Sequence, residues 1–207
     1  MKIKVCGITA VEQLQALQEL GVDYAGMIFY EKSKRFVGYM LEDQLPLVNA
    51  LDISRVGVFV NAEMDVVQKT IQDYSLTAVQ LHGDETDEFC LDLMDKVQVI
   101  KVFRVADQKD IDGLVAPFQE VCHYFLFDTD TATYGGSGQQ FDWGVLESAG
   151  INKPFFLSGG IGLEDVEKLK AFHHPYLYAV DVNSRFETSP GIKDMDKVAD
   201  FIKQLNA

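Results

Sequence analysis

Short apolar runs alternate along this chain with longer stretches in which apolar residues recur at helical spacing. The runs are rich in β-branched and aromatic residues, and some, such as residues 56–60, are apolar at nearly every position. Near-continuous apolar strands are typical of a parallel sheet that is covered on both faces. Eight such runs are present, beginning near Ile3, Tyr24, Arg55, Ala78, Val99, Tyr124, Phe155 and Tyr178.

The stretches between the runs predict helices. Residues 11–20 place three leucines on one helical face, and Gly21 follows as a C-terminal stop. Residues 64–74 and 166–172 show the same pattern. The alternation therefore predicts an α/β fold, a single-domain (β/α)8 TIM barrel, whereas a doubly wound open sheet would usually have fewer strands and a Gly-rich first turn.

The composition limits the number of domains and the classes of partner. The chain has 207 residues, 47% of them apolar, without a Gly/Ser-rich or Pro-rich linker, so we expect one domain over residues 1–207. A net charge of −14 opposes binding to nucleic acid or to an anionic membrane. The short apolar start is not a signal peptide and no later run could span a bilayer, which predicts a cytoplasmic protein. Three cysteines without Cys-x-x-Cys spacing indicate neither a disulfide framework nor a thiolate metal site.

The ends of the eight runs are the candidates for a site, because ligands bind at the C-terminal ends of barrel strands. They are Cys6, the segment after Phe29, Asn61, His82, Arg104, Asp128, residues 158–160 and residues 181–184. Cys6 and Asp128 each end a buried strand. A thiol and a carboxyl group at two strand ends indicate acid–base chemistry.

Loops after the strands carry groups suited to an anionic ligand. Residues 158–162 form a glycine-rich turn before a helix, whose backbone N–H groups can bind an anion. Asn183 and Ser184 follow the eighth strand, and the loops after strands seven and eight are the usual phosphate site of this fold. Arg35 is either a solvated side chain or a clamp for a substrate carboxylate. A second glycine-rich loop, residues 135–138, resembles a lid over the barrel mouth.

Several motifs together resemble the phosphoribosylanthranilate isomerase family. They occur in the order typical of the family and span almost the whole chain, and the first motif combined with the fourth is the most specific. The motifs are Cys6-Gly7-Ile8-Thr9, Ser33-Lys34-Arg35-Phe36-Val37, Gly57-Val58-Phe59-Val60-Asn61, Gln80-Leu81-His82-Gly83-Asp84-Glu85, Phe127-Asp128, Gly135-Gly136-Ser137-Gly138 with Phe141-Asp142-Trp143, Gly159-Gly160, and Pro190-Gly191-Ile192-Lys193-Asp194.

The resemblance implies an enzyme of tryptophan biosynthesis that rearranges N-(5-phosphoribosyl)anthranilate to 1-(2-carboxyphenylamino)-1-deoxyribulose 5-phosphate, without metal or cofactor. It implies that Asp128 is the general acid that opens the furanose ring and that Cys6 is the general base that removes the C2′ proton. Arg35 would bind the anthranilate carboxylate. The resemblance also implies that backbone amides around Gly159, Gly160 and Ser184 bind the phosphate. We predict Asn183 as a further phosphate ligand and His82 and Asp181 as substrate ligands, although His82 could instead only hydrogen-bond the neighbouring loop. We expect a small phosphorylated substrate as the partner, and a monomer or a homodimer.

The chain departs from the family pattern most clearly at Asn183-Ser184-Arg185-Phe186, where Ser-Ser-Gly-Val is usual. If the family's glycine allows the backbone to approach the phosphate, Arg185 must replace that contact with its charge, or the chain must turn differently. Lys34 also replaces a usual proline, and Ser158 a usual alanine.

Cys6 needs a neighbour that stabilises its thiolate, because an unperturbed thiol has a pKa of about 8.5. Strand alternation places Lys4 on the same inward face, and the eighth strand lies beside the first in a closed barrel. We therefore predict a buried Lys4–Asp181 pair beneath the site, with the ammonium group lowering the pKa of Cys6. The alternative is that Lys4 only fills the barrel interior.

Other functions remain open. The related Amadori isomerase of histidine biosynthesis would be expected to carry an aspartate in place of Cys6, and indole-glycerol-phosphate synthase to carry an N-terminal extension and a catalytic Lys–Glu set. A metal-dependent epimerase would need several His and Asp ligands at strand ends, where His82 is the only histidine. A non-catalytic barrel that senses a phosphorylated metabolite would need neither Cys6 nor Asp128.

Overall fold

A computed structural model of the chain describes residues 1–38, 40–105, 110–129 and 140–207. Eight parallel strands pair in sequence order, and the first also pairs with the eighth, so the sheet closes into a barrel. Each strand begins within one residue of its predicted start. The strands are β1 (Lys2–Cys6), β2 (Tyr24–Ile28), β3 (Ser54–Phe59), β4 (Ala78–Leu81), β5 (Gln98–Val105), β6 (Tyr124–Thr129), β7 (Phe155–Leu157) and β8 (Leu177–Val182).

Helices follow the strands and cover the outside of the barrel. They are α1 (Val11–Glu19), α2 (Leu45–Asn49), α3 (Met64–Asp73), α4 (Asp87–Met94), α5 (Ile111–Val115), α6 (Gly144–Glu147), α7 (Val166–Ala171) and α8 (Met195–Asn206). The predicted α/β fold, a single-domain (β/α)8 TIM barrel, is confirmed, as are α1, α3 and α7. A short antiparallel hairpin, β9 (Glu187–Ser189) and β10 (Ile192–Lys193), precedes α8. Across the part of the chain that the structure describes, no helix combines the length and apolar character needed to cross a membrane.

Alternation along the strands separates a packed interior from a polar barrel mouth. Buried side chains from the early inward-facing positions fill the barrel: Tyr24, Val56, Ala78, Ile100, Val102, Leu126, Phe156 and Ala179. Two residues further on, the inward face carries Asp128 after Leu126 and Asp181 after Ala179. A second, larger apolar cluster packs the outward-facing strand residues against the helices. The polar site therefore stands on a filled core rather than over an open pore.

Candidate active site

The thiol of Cys6 lies inside the barrel at the C-terminal end of β1. Gly26 on β2 is its register partner, and a Cβ at Gly26 would lie 2.8 Å from the Cys6 Sγ, so glycine leaves the space that the thiol occupies. Gly7 then turns the chain with φ +80, a conformation that favours glycine. Cys6 is buried, yet it lines a pocket at the barrel mouth.

A buried ion pair lies beneath Cys6. The Nζ of Lys4 donates to Asp181 Oδ1 at 2.8 Å, and the two residues are register partners where β1 meets β8. Lys4 has no exposed surface, whereas Asp181 reaches the pocket wall, where the Ser158 Oγ lies 3.4 Å from Asp181 Oδ2. The predicted Lys4–Asp181 pair is therefore confirmed.

The electrostatic environment of Cys6 contains opposing effects. Burial raises the pKa of the thiol and Asp181 raises it further, whereas Lys4 and Lys193 lower it; the net direction is upward. Burial also opposes the charge of Lys4, but Asp181 and Cys6 together raise the pKa of its ammonium group. Lys4 thus acts on the thiol in the predicted direction, but it does not outweigh burial.

Asp128 faces the same pocket from β6. Burial, followed by the nearby Asp181, raises the pKa of its carboxyl group to about 6, against the opposing effects of the Thr129 N–H and Lys4. The Thr129 N–H donates to Asp128 Oδ1 at 2.8 Å. A carboxyl group that titrates this close to neutrality is suited to general acid catalysis.

His82 is a titratable neighbour of Asp128 in the pocket wall. Its Nε2 lies 3.6 Å from Asp128 Oδ2, and its Nδ1 lies 3.0 Å from the Gln80 Nε2. Burial and three nearby cations lower the pKa of the imidazole to about 3. His82 is therefore neutral at physiological pH and does not stabilise the ionised form of Asp128 as an imidazolium would.

Two turns after β7 and β8 complete the pocket. Gly159 and Gly160 have φ +97 and +62, and a Cβ at Gly159 would collide with the Thr129 Oγ1. Ser184 begins a short 3-10 turn after β8. The four predicted phosphate-binding residues all line the pocket: Gly159, Gly160, Asn183 and Ser184.

Arg185 lines the same pocket beside these turns. Its Nη1 lies 3.4 Å from the Glu164 Oε1. Its backbone does not adopt the left-handed conformation, so the replacement of the family's glycine introduces no backbone strain here.

Arg35 differs from the other predicted site residues, because it is not among those that line the pocket. Its Nε and Nη2 donate to the carboxylate of Glu187 at 2.7–3.0 Å. The same carboxylate accepts from the Lys193 Nζ at 2.7 Å and from the Gly191 N–H at 3.1 Å. Arg35 nevertheless lies next to the Cys6 loop, since a Cβ at Gly7 would lie 2.7 Å from the Arg35 Cδ.

Residues 3–204 match the family model described as N-(5'phosphoribosyl)anthranilate (PRA) isomerase. This chain belongs to that family. The N-(5'-phosphoribosyl)anthranilate isomerase of Parabacteroides distasonis is 40% identical over 207 residues, which are 99% of this chain and 93% of the relative. The crystal structure of phosphoribosyl anthranilate isomerase from Thermotoga maritima has a TM-score of 0.86 and 36% identity, covering 100% of this chain and 98% of that chain. A phosphoribosyl anthranilate isomerase solved in complex with reduced 1-(o-carboxyphenylamino)-1-deoxyribulose 5-phosphate has a TM-score of 0.82 and 33% identity, with 100% and 98% coverage.

Three residues at or beside the site were given no role from the sequence: Gln80 and Lys193, which lie within quoted motifs, and Glu187, which does not. Gln80 precedes His82 by two residues, so strand alternation places both side chains on the same face and could have indicated their contact. Glu187 and Lys193 are cross-strand partners in the hairpin on either side of Pro190 and Gly191. A Glu and a Lys flanking a Pro-Gly turn are a weak signal for such a pair.

The predicted lid, residues 135–138, lies outside the described residues. Within residues 1–38, 40–105, 110–129 and 140–207, no group of three or more His, Cys, Asp or Glu side chains is arranged to hold a metal ion.

Proposed function

We infer that this chain is a phosphoribosylanthranilate isomerase of tryptophan biosynthesis, converting PRA to 1-(2-carboxyphenylamino)-1-deoxyribulose 5-phosphate. The observation that carries this inference is one pocket lined by a thiol, by a carboxyl group with a pKa of about 6, and by the turns after β7 and β8. Membership of the family supplies the substrate.

Asp128 is the proposed general acid. Its carboxyl group gives a proton to the furanose ring oxygen while the C1′–O bond breaks, and the anilino nitrogen lone pair forms the protonated imine. A pKa of about 6 leaves a usable fraction of the carboxyl group protonated near neutral pH. The neutral imidazole of His82 beside it does not draw that proton away.

Cys6 is the proposed general base. Its thiolate removes the C2′ proton, the C–H electron pair forms the C1′–C2′ double bond, and the imine nitrogen becomes neutral. The resulting enolamine then tautomerises to the ketone. Burial disfavours the thiolate before substrate binds, while Lys4 and Lys193 favour it. The cationic imine adds a third positive charge beside the thiolate at the step that needs it.

The remaining residues are proposed as substrate ligands. Backbone N–H groups around Gly159, Gly160 and Ser184, with the Asn183 side chain, would bind the phosphate. Asp181 and His82 would contact the substrate within the pocket, and Arg35 would bind its carboxylate through charge-assisted hydrogen bonds. The cytoplasmic location, the extent of the domain over residues 1–207, the lack of a cofactor and the state as monomer or homodimer stay predictions.

Mixing the purified chain with freshly prepared PRA and following the loss of PRA fluorescence tests the proposed function. We expect rapid loss with the wild type and with Cys90→Ala, a control that removes a buried thiol outside the pocket. A folded chain whose melting temperature rises with PRA, but which leaves PRA unchanged, would instead support the phosphorylated-metabolite sensor.

A further inference from the structure

The β9–β10 hairpin brings two buried charged side chains to the side of the active site. Glu187 and Lys193 are cross-strand partners, with the Lys193 Nζ 2.7 Å from the Glu187 Oε1. The Lys193 side chain has no exposed surface and that of Glu187 is 5% exposed. Desolvating two charges is costly even when they are paired, so a buried pair is weak evidence of a stabilising role. The contacts of this pair indicate a role in the site.

Glu187 is fixed from several directions and holds one edge of Arg35. It accepts from Lys193, from the Gly191 N–H, and from the Nε and Nη2 of Arg35. Burial opposes ionisation, but the hydrogen bonds from Arg35 and Lys193 hold the pKa of Glu187 below its usual value. An arginine has five N–H donors. The side-on contact with Glu187 leaves the end edge, formed by Nη1 and Nη2, to bind a second carboxylate.

Lys193 links the Glu187 carboxylate to the pocket. Its Nζ donates to the Asn183 Oδ1 at 2.7 Å, and Asn183 lines the pocket. A Cβ at Gly7 would lie 2.7 Å from the Arg35 Cδ, 2.8 Å from the Asn183 Oδ1 and 3.4 Å from the Lys193 Nζ. These three side chains therefore converge on Gly7, the residue that directly follows Cys6.

We propose that Glu187 and Lys193 are positioning residues: Glu187 orients Arg35 so that its end edge meets the substrate carboxylate, and Lys193 stabilises the Cys6 thiolate while holding Asn183. This inference rests on the proposed function, because it takes Cys6 as the base and the anthranilate carboxylate as the ligand of Arg35.

The charges around Cys6 determine whether a substitution raises or lowers the pKa of its thiol. Lys193 lowers the pKa of the thiol, so removing its charge raises that pKa. Among the described residues, the charged groups that act on Cys6 are Lys4 (β1), Arg35 (loop after β2), Asp181 (β8) and Lys193 (β10). The other charged or titratable side chains that line the same pocket are Tyr30, His82, Asp128 and Arg185.

The test of Lys193 is the pH dependence of Cys6 alkylation, followed by mass spectrometry of the Cys6 peptide. We expect Lys193→Met to move the midpoint up by about one pH unit and Lys193→Arg, which keeps the charge, to leave it near the wild-type value. A residue with only a structural role would leave the midpoint unchanged in both variants. An unshifted midpoint in folded Lys193→Met overturns the inference for Lys193.

The test of Glu187 is a double-mutant cycle with Arg35 on PRA turnover. We expect Glu187→Gln to raise KM about tenfold with a smaller effect on kcat, because it removes an ionic hydrogen-bond partner of Arg35. In an Arg35→Met background the same change should have almost no effect on KM. An equal rise in both backgrounds overturns the inference for Glu187.

Two controls keep these outcomes interpretable. Glu187→Asp keeps the charge, so its KM should lie closer to the wild-type value than that of Glu187→Gln. This comparison with the wild type can be made even if Glu187→Gln folds poorly. If the wild type does not turn over PRA, the proposed function fails. If the wild type turns over PRA and the variants behave like it, only this inference fails.

Discussion

Three buried thiols in this chain differ in whether they line the pocket: Cys6 does, whereas Cys90 and Cys122 do not. Burial raises the pKa of Cys90 and of Cys122 to about 12. Burial also raises the pKa of Cys6, and nearby lysines oppose the effect of burial at all three thiols. Only the thiolate is an effective base or nucleophile. Cys6 is therefore the thiol placed for proton abstraction, because of the three it is the one that lines the pocket.

Replacing Lys4 with Met should raise the pKa of the Cys6 thiol by about one unit, because the change removes a nearby positive charge. Alkylation of Cys6 as a function of pH measures this. In a Lys4→Met, Asp181→Asn double variant the rise should be smaller, since Asp181 raises the pKa of the thiol in the wild type. An unchanged thiol pKa in a folded Lys4→Met variant would contradict the assignment.

The carboxyl group of Asp128 should titrate with a midpoint at about pH 6 in an NMR experiment on 13C-labelled aspartate. Asp181 contributes to the elevation through like-charge repulsion, so Asp181→Asn should lower the midpoint. Asp52→Asn, an exposed control outside the pocket, should leave it in place. A midpoint near 3.9, the ordinary pKa of aspartate, would rule out the proposal that Asp128 is a general acid with a raised pKa.

At the scale of elements, Arg55 on β3 anchors two helix ends. Carbonyl groups at the C-terminal end of a helix lack intrahelical partners. The Arg55 guanidinium donates to carbonyl oxygens near the ends of α2 and α3, namely those of Val48, Leu51, Ile53, Tyr74 and Ser75. This buried arginine thus fixes the loops that precede β3 and β4 without lining the pocket.

Arg55→Met should lower the free energy of unfolding by about 3 kcal/mol, because several buried carbonyl groups lose their donor. Arg55→Lys should lower the free energy of unfolding by less, since one ammonium group still donates to some of these carbonyl groups. Urea denaturation measures both changes, and KM for PRA should stay at the wild-type value. A loss below about 0.5 kcal/mol, as at an ordinary surface position, would show that water replaces the guanidinium at no cost.

The elements differ in how far their sequence determines them. The eight strand starts could be predicted because each depends on a local apolar run, and the barrel then brings strand ends such as Cys6 and Asp128 to one mouth. The β9–β10 hairpin could not, since strands of two and three residues carry no periodic signal. The pairing of Arg35 with Glu187 joins residues 152 positions apart and depends on tertiary packing alone.

At the scale of the whole molecule, closure of the barrel assembles the site from both ends of the chain. Lys4 and Asp181 are 177 positions apart and meet only because β1 pairs with β8. The same closure explains why the direction of the Cys6 pKa shift could not be predicted: burial and Lys193 act on the thiol only in the folded barrel. Lys4 and Lys193 form a local group of cations in a chain whose net charge is −14.

Binding of the product analogue reduced 1-(o-carboxyphenylamino)-1-deoxyribulose 5-phosphate should stabilise the whole barrel, because its proposed ligands come from strands across the closed sheet. At 100 times Kd, binding contributes about 2.7 kcal/mol, which for a chain of this size raises Tm by about 5–10 °C. Differential scanning calorimetry measures the shift, with inorganic phosphate as a weaker partial ligand. No shift at millimolar analogue would argue against the pocket as the substrate site.

The most direct test of the acid–base account is PRA turnover by the wild type, Cys6→Ala, Asp128→Asn and the control Cys90→Ala, with each fold verified by circular dichroism. We expect Cys6→Ala and Asp128→Asn each to lower kcat at least about 100-fold, and Cys90→Ala to stay near the wild type. Wild-type kcat in a folded Cys6→Ala or Asp128→Asn variant would contradict the acid–base account.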